Sequence, residues 1–262
     1  MMPKIKQLTA LRNSAILGLS SIVLSSVSLP AQAINLVQNG GFVPSNVSGT
    51  AARLWNDTNV NIPSWTHNGG YAFLYSDGLS YANSPNSTGV HFYGSAPVNS
   101  PNGSGWYYAG DGGFGVNPVI RQTINGLTTG KDYKLTFYQA SAQQTGFSGD
   151  TTDYFQVSFG SSSQNSQLMT HPSHAPVSAW QQQTMTFTAQ NSSQLLSFLS
   201  QGTPDGLPPF SLLSSVSLEQ VTPPTPVPWE TDALPIVGSM IAFGFGLRAK
   251  QKLAQKKLVN FE

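Results

Sequence analysis

Apolar and polar residues alternate with a period of two through most of the chain between residues 34 and 221. The clearest runs are at 133–137, 155–159, 184–187, 196–198 and 216–218. Each run is short and bounded by Gly, Pro, Asn or Ser, and no segment sustains the 3.6-residue period of a helix. Many short strands between turn residues are typical of two packed sheets. The pattern therefore predicts an all-β domain over 34–221, folded as a β-sandwich of the jelly-roll kind.

The first 33 residues have the layout of a secretory signal peptide. Three basic residues precede an uncharged apolar stretch at 15–29, and Ala31 and Ala33 supply a small-x-small cleavage pattern. Signal peptidase is expected to cleave after Ala33. The alternative is an uncleaved anchor helix.

The other end of the chain has three parts. Residues 222–232 form a proline-rich spacer that ends in a short motif, 233–247 are uncharged and mainly apolar, and 248–262 carry a basic cluster. As a helix, 233–247 would be about 22 Å long, against a hydrocarbon core of roughly 30 Å. The basic flank favours a short transmembrane helix with a cytoplasmic tail and the domain outside. The alternative is a buried core helix.

Composition narrows the class of protein further. Charged residues make up 9% of the chain and cysteine is absent, which favours a bacterial envelope protein over a disulfide-rich secreted domain. Residues 34–227 hold four basic and eight acidic side chains, a net charge of −4. A mildly acidic domain is a poor partner for nucleic acid, because phosphate binding needs clustered Lys and Arg.

The tail resembles the PEP-CTERM-type sorting signals of bacteria. The sequence Val227-Pro228-Trp229-Glu230 is similar to the variant motif of cyanobacterial members, with Trp where Phe often stands. The resemblance covers 222–257 and implies an exosortase, a transpeptidase-like membrane protein, as partner. It further implies transient anchoring in the inner membrane, cleavage near Pro228, Trp229 and Glu230, and delivery to the cell surface or extracellular matrix.

A second resemblance covers the domain. The order of short motifs, beginning with Asn39-Gly40-Gly41-Phe42 and ending with the strand that contains Leu218, looks like galactose-binding-like jelly rolls, including carbohydrate-binding modules of bacterial enzymes. Members often hold a structural calcium with acids at two places. Here Val43 and Ser214-Ser215 stand there instead. These departures predict a domain that folds without calcium, and no cofactor is expected.

Aromatic side chains are the most promising binding groups. Flat rings with polar edges stack on sugar faces, and they crowd the first half of the domain. Trp106, Tyr107 and Tyr108 are the candidate glycan-binding residues, with Trp106 and Tyr108 expected to be exposed beside Gly105 and Gly110. The competing interpretation is core packing, which we expect for Trp65.

Other constellations favour structural interpretations. The G-x-G-x-x-G at 110–115 precedes no amphipathic helix and predicts a turn. His171 and His174 lie in a proline-rich segment, which predicts a surface loop rather than a zinc site. Asp150 and Asp153 predict a solvated turn, with a cation site as the alternative.

The sequence shows no catalytic signature, so we predict a protein that is not an enzyme. The predicted function is an exported surface or matrix protein whose domain binds polysaccharide. The alternatives are a structural or adhesive matrix protein without a small ligand and, third, a secreted glycan hydrolase.

Overall fold

The structure is a computed structural model that describes residues 34–55, 59–68, 70–76, 90–94, 99–101, 105–113, Gly115 and 118–222. Every named element in these ranges is a β-strand. None of the described residues forms a helix of the length and apolarity that a membrane span requires. The predicted signal peptide, sorting motif, transmembrane helix and basic tail lie outside the described residues, apart from the first residue of the spacer, and stay predictions.

The part of the chain that the structure describes contains twelve strands. They are β1 Ala51–Arg53, β2 Thr66–Asn68, β3 Ala72–Ser76, β4 Trp106–Asp111, β5 Val119–Asn125, β6 Asp132–Gln143, β7 Thr151–Phe159, β8 Ser162–Asn165, β9 Met169–His171, β10 Gln181–Thr188, β11 Ser193–Thr203 and β12 Pro209–Gln220.

The strands form two sheets with antiparallel pairing. Sheet A has the order β1-β3-β4-β12-β6-β10, and sheet B has the order β2-β5-β11-β7-β8, with β9 also paired to β7. A bulge interrupts the register of β12 between Ser214 and Ser217. The prediction of an all-β sandwich is confirmed.

The predicted alternation places the main core between the sheets. Every second residue of β7 is buried, and buried residues also alternate along β10, β11 and the first half of β6. The same core contains Leu213, Val216 and Leu218 of β12. Phe198 lies at the centre of this core, with its ring centroid 5.1 Å from that of Phe137, 6.1 Å from Phe155 and 6.4 Å from Trp65. Trp65 is 5% exposed, which confirms its predicted place in the core.

A second apolar cluster covers the opposite face of sheet A. Its members include Phe73 and Tyr75 of β3, Tyr107 of β4 and Phe210 of β12. Val90 and Phe92 belong to it, and Trp180 packs against it. Sheet A is therefore buried on both faces over its β3, β4 and β12 strands.

Candidate functional site

The predicted aromatic site at 106–108 lies on strand β4, and its tyrosines are inaccessible. Tyr107 and Tyr108 are both 0% exposed. Successive side chains of a strand point to opposite faces, so Tyr108 enters the core between the sheets and Tyr107 enters the cluster on the far side of sheet A. The expectation that Tyr108 stacks on a glycan from an exposed position is wrong, because both faces of sheet A are covered here.

Trp106 differs from its two neighbours. Its side chain is half-buried and packs against the core between the sheets. Its backbone carbonyl accepts a hydrogen bond from Ser214 Oγ at 3.2 Å. A glycan contact through Trp106 stays a prediction.

A half-buried tryptophan that the sequence did not single out lines an open cleft beside β1. We call this cleft, lined by Asn46, Val47, Arg53, Trp55, Asn59 and neighbouring residues, the Trp55 cleft; its volume is about 790 Å³. The Trp55 ring meets Tyr71 edge-on, with 5.3 Å between ring centroids and 66° between planes. Tyr71 in turn packs edge-on against buried Phe73 at 4.7 Å. Tyr71 thus links the Trp55 ring to the second apolar cluster.

Two amide side chains, those of Asn46 and Asn59, also line the Trp55 cleft. Asn46 Oδ1 accepts from the Asn61 backbone N–H at 2.8 Å, and Asn46 Nδ2 donates to the carbonyl of Asn59. These bonds tie the two loop segments together and fix the amide. Burial raises the pKa of Tyr71, while Arg53 opposes that rise and Asp111 adds to it. None of the described residues that line this cleft is Asp or Glu.

A second cleft lies where the N-terminal segment crosses the β2–β5 edge of sheet B. We call it the Arg121 cleft; it is lined by Asn35, Gln38, Thr66, Arg121, Thr123, Asn125 and neighbouring residues, and its volume is about 440 Å³. Buried Gln122 forms its floor, accepting from Gln38 N at 2.9 Å and donating to Gln38 O at 2.7 Å. This pair of bonds attaches the N-terminal segment to sheet B.

A carboxyl group is buried between the sheets. Asp153, expected in a solvated turn, lies on β7 and is 0% exposed. Ser211 Oγ donates to its Oδ1 at 3.0 Å, and Ser141 Oγ donates to its Oδ2. The prediction of a turn is wrong for Asp153 because Thr151, Asp153 and Phe155 share the inward phase of one strand. Asp150 is exposed, where its Oδ1 accepts from Ser173 N.

Burial raises the pKa of Asp153 to about 8, and the two serine hydroxyls only partly offset that rise. A raised pKa means that removal from water disfavours the charged form more than two hydrogen bonds favour it. The group lines neither cleft, so no substrate reaches it there. We assign the Asp153 carboxyl a structural role rather than a catalytic one.

The loop at residues 39–43, where the sequence resemblance places a calcium site in other proteins, is held by hydrogen bonds within the protein. Asn39 Oδ1 accepts from Val43 N at 3.0 Å, and Asn39 Nδ2 donates to Val43 O at 3.0 Å. Val216 N donates to Gly40 O at 2.9 Å, which seats the loop on the β12 bulge. A Cβ at Gly40 would collide with the Val216 carbonyl. The described residues contain no group of three or more His, Cys, Asp or Glu side chains that could hold a metal.

The two histidines occupy different environments. His171 is 2% exposed, its Nε2 lies 3.1 Å from the Ala175 carbonyl, and burial lowers its pKa. The prediction of a surface loop is therefore wrong for His171, which ends strand β9. His174 is exposed, and its Nε2 lies 2.8 Å from Ser148 Oγ.

No protein-family model matches the sequence, and no curated protein matches it. Among solved structures, the chain is similar to the CBM22-1 xylan-binding domain of Paenibacillus barcinonensis Xyn10C, at 12% identity and a TM-score of 0.35, over 73% of this chain and 97% of that one. It is also similar to a CBM4 structure, at 18% identity and a TM-score of 0.31, over 71% and 99%.

A third similarity is to the C-terminal domain of the sugar-binding protein EclA, at 17% identity and a TM-score of 0.29. It covers 38% of this chain and 64% of that domain, so the chain spans less than two thirds of it. At TM-scores below 0.5, these likenesses assign neither a family nor a ligand to this chain.

Proposed function

We propose that the chain is a non-catalytic, exported surface or matrix protein whose β-sandwich, of the jelly-roll kind, binds a neutral glycan in the Trp55 cleft. The observation that carries the proposal is the half-buried Trp55 ring, held edge-on by Tyr71 at the wall of an open cleft. A flat ring offers a stacking face to a sugar. Asn46 and Asn59 add amide groups that bond to hydroxyls, and no Asp or Glu is among the described residues that line the cleft.

The proposal is tested by binding measurements on a glycan array and by calorimetry with the neutral glycans that bind. The purified full chain is kept in a nonionic, sugar-free detergent. Replacement Trp55→Ala should weaken binding about 10- to 100-fold, as removal of a stacking ring does for bases. Trp55→Phe should retain part of the affinity because it keeps a flat ring.

Trp180→Ala is the matched control. Trp180 is also half-buried and meets a tyrosine of the same cluster edge-on, Tyr107 at 5.6 Å, but it lines neither cleft. The Trp180→Ala replacement should change the free energy of unfolding without changing glycan affinity. Loss of binding in Trp106→Ala but not in Trp55→Ala would move the site to the end of β4 and contradict the proposal.

We further propose that the chain is sorted through its C-terminal tail by an exosortase-like transpeptidase after signal peptidase removes residues 1–33. The support is the layout of spacer, Pro228-Trp229-Glu230 motif, short apolar run and basic end. The apolar run contains Gly238, Gly244 and Gly246, which weaken a helix already short for a permanent span.

Intact mass of the protein recovered from the surface of its host tests this sorting. The expected chain starts near Ile34 and ends near Trp229. A surface protein that retains residues 248–262 would show a permanent anchor and contradict sorting.

A further inference from the structure

Among the described residues that line the Arg121 cleft, Arg121 is the one charged group and none is acidic. Arg121 is half-buried, and among the described residues it forms no ion pair. The hydroxyl of its neighbour Thr66 donates to the Arg121 backbone carbonyl at 3.4 Å. The guanidinium likewise makes no hydrogen bond to another described residue, so its N–H groups can donate to a ligand.

Hydroxyl side chains extend from Arg121 across the outer face of sheet B. The register places Thr66 of β2 on one side of Arg121 and Ser197 of β11 on the other. Ser197 is opposite Ser158 of β7, which is opposite Ser163 of β8. With strands about 4.8 Å apart, this hydroxyl row is roughly 19 Å long. Arg121 is the only charged side chain at an outward position of the strands that carry the row.

The amide of Asn35 adds a donor to the cleft. Asn35 Oδ1 accepts from Val37 N at 3.0 Å and from Leu218 N at 2.9 Å, so the oxygen is fixed by two backbone donors. The amide nitrogen is the group that remains for a ligand. A cleft with a guanidinium and an amide donor, next to a row of hydroxyls, complements an anionic oxygen with neighbouring hydroxyls.

We propose that the Arg121 cleft and the hydroxyl row bind an acidic polysaccharide. A carboxylate or sulfate of the polymer pairs with the Arg121 guanidinium, and its sugar hydroxyls bond to Ser197 and Ser158 along the row. The site is separate from the Trp55 cleft and does not depend on binding there. The net charge of −4 on residues 34–227 makes this local positive group, rather than general attraction, the source of selectivity.

Calorimetry on the purified full chain, in the same sugar-free detergent, tests the site with three polymers. Polygalacturonate supplies carboxylates, dextran sulfate supplies sulfates, and fully methyl-esterified polygalacturonate supplies the same sugars without charge. At least one charged polymer should bind, and the ester should bind about 10- to 100-fold more weakly, the value of a charge-assisted hydrogen bond. The stronger of the two charged polymers identifies the anionic group.

Two variants remove the anion site and one controls for charge. Arg121→Gln should lower affinity for the charged polymer about 10- to 100-fold. Ser197→Glu, which places a carboxylate beside Arg121, should do the same and provides a second test if Arg121→Gln does not fold. Lys131→Gln removes one positive charge from an exposed turn and should leave affinity within about twofold.

Several results would overturn the proposal. These are equal binding of ester and acid, equal losses in Arg121→Gln and Lys131→Gln, or no binding of either charged polymer. Sedimentation of the unliganded chain measures its oligomeric state and gives one further result that would overturn the proposal. A dimer that Arg121→Gln converts to a monomer would show that a second copy occupies this face.

Discussion

The two halves of the space between the sheets are built from the same strands but differ in chemistry. On β6 the inward side chains change from Phe137 to Ser141, and on β11 they change from Phe198 to Ser200. Phe155 of β7 belongs to the apolar half, and Asp153, two residues earlier, belongs to the polar half. Apolar packing stabilises the first half at any pH, whereas the second half contains a carboxyl whose charged form is disfavoured. The same alternation of inward side chains thus produces one half whose stability does not depend on pH and one half whose stability does.

The largest expected effect is a pH dependence of the free energy of unfolding, which comes from Asp153 in the polar half. Below about pH 4, Asp153 is protonated in both the folded and unfolded chain, and its contribution is complete. As pH rises, the unfolded chain ionises first, because the folded pKa is about 8 against 3.8. The free energy of unfolding should therefore fall between pH 4 and 8, by on the order of 5 kcal/mol from this group, and level off above pH 8.

Urea unfolding at intervals from pH 4 to 9, on wild type and Asp153→Asn, measures this dependence. The amide keeps the shape and bonds to Ser141 and Ser211 without an ionisation, so the variant should lose the slope. Ser211→Ala removes a bond that lowers the pKa, and the fall in stability should extend to higher pH. Parallel curves for wild type and Asp153→Asn would contradict the assignment.

The next effect belongs to the apolar half. Phe198→Ala removes a fully buried ring that meets Phe137 and Phe155 edge-on. The free energy of unfolding should fall by about 3–5 kcal/mol, the usual cost of a large cavity. The same urea titrations at pH 5 and pH 8 should give equal losses, since no ionisable group changes. A loss that varied with pH would mean that the two halves are coupled.

The smallest effect is expected at the boundary between the halves. The Tyr108 hydroxyl is buried beside Ser200 Oγ, yet the two do not make a well-aligned hydrogen bond. Tyr108→Phe should therefore change the free energy of unfolding by less than about 1 kcal/mol, in either direction. Thermal unfolding of the two proteins measures it. A loss of about 3 kcal/mol would show that the hydroxyl has a buried partner.

The period-two pattern was sufficient to predict the sandwich. Tyr133, Leu135 and Phe137 are all buried, as are Phe155, Val157 and Phe159. The same pattern contained Asp153, which stands two residues before Phe155. Local composition favoured a turn there, because Thr and Asp are common in turns, but the phase of the alternation was the better guide.

The site could not be located from sequence because exposure depends on what covers each sheet. The uninterrupted run Tyr107, Tyr108 and Ala109 is the signal of a strand buried on both faces. Its covering residues, such as Phe92 and Trp180, come from distant parts of the chain. Trp55 and Arg121 line clefts only because separate segments meet beside them, and no local spacing encodes that meeting.

The position of β12 has a consequence for the order of folding. This last strand is inserted between β4 and β6, and its Leu218 carbonyl accepts a hydrogen bond from Leu36 N at 2.8 Å, near the start of the domain. Sheet A cannot be completed in the order of synthesis, because its middle arrives last. Contacts of such long sequence separation make folding slow and late. Until residues 209–220 have left the ribosome, sheet A lacks its middle strand and the domain cannot finish folding. A chain exported from its N-terminus would stay unfolded, and so able to cross a membrane, up to that point.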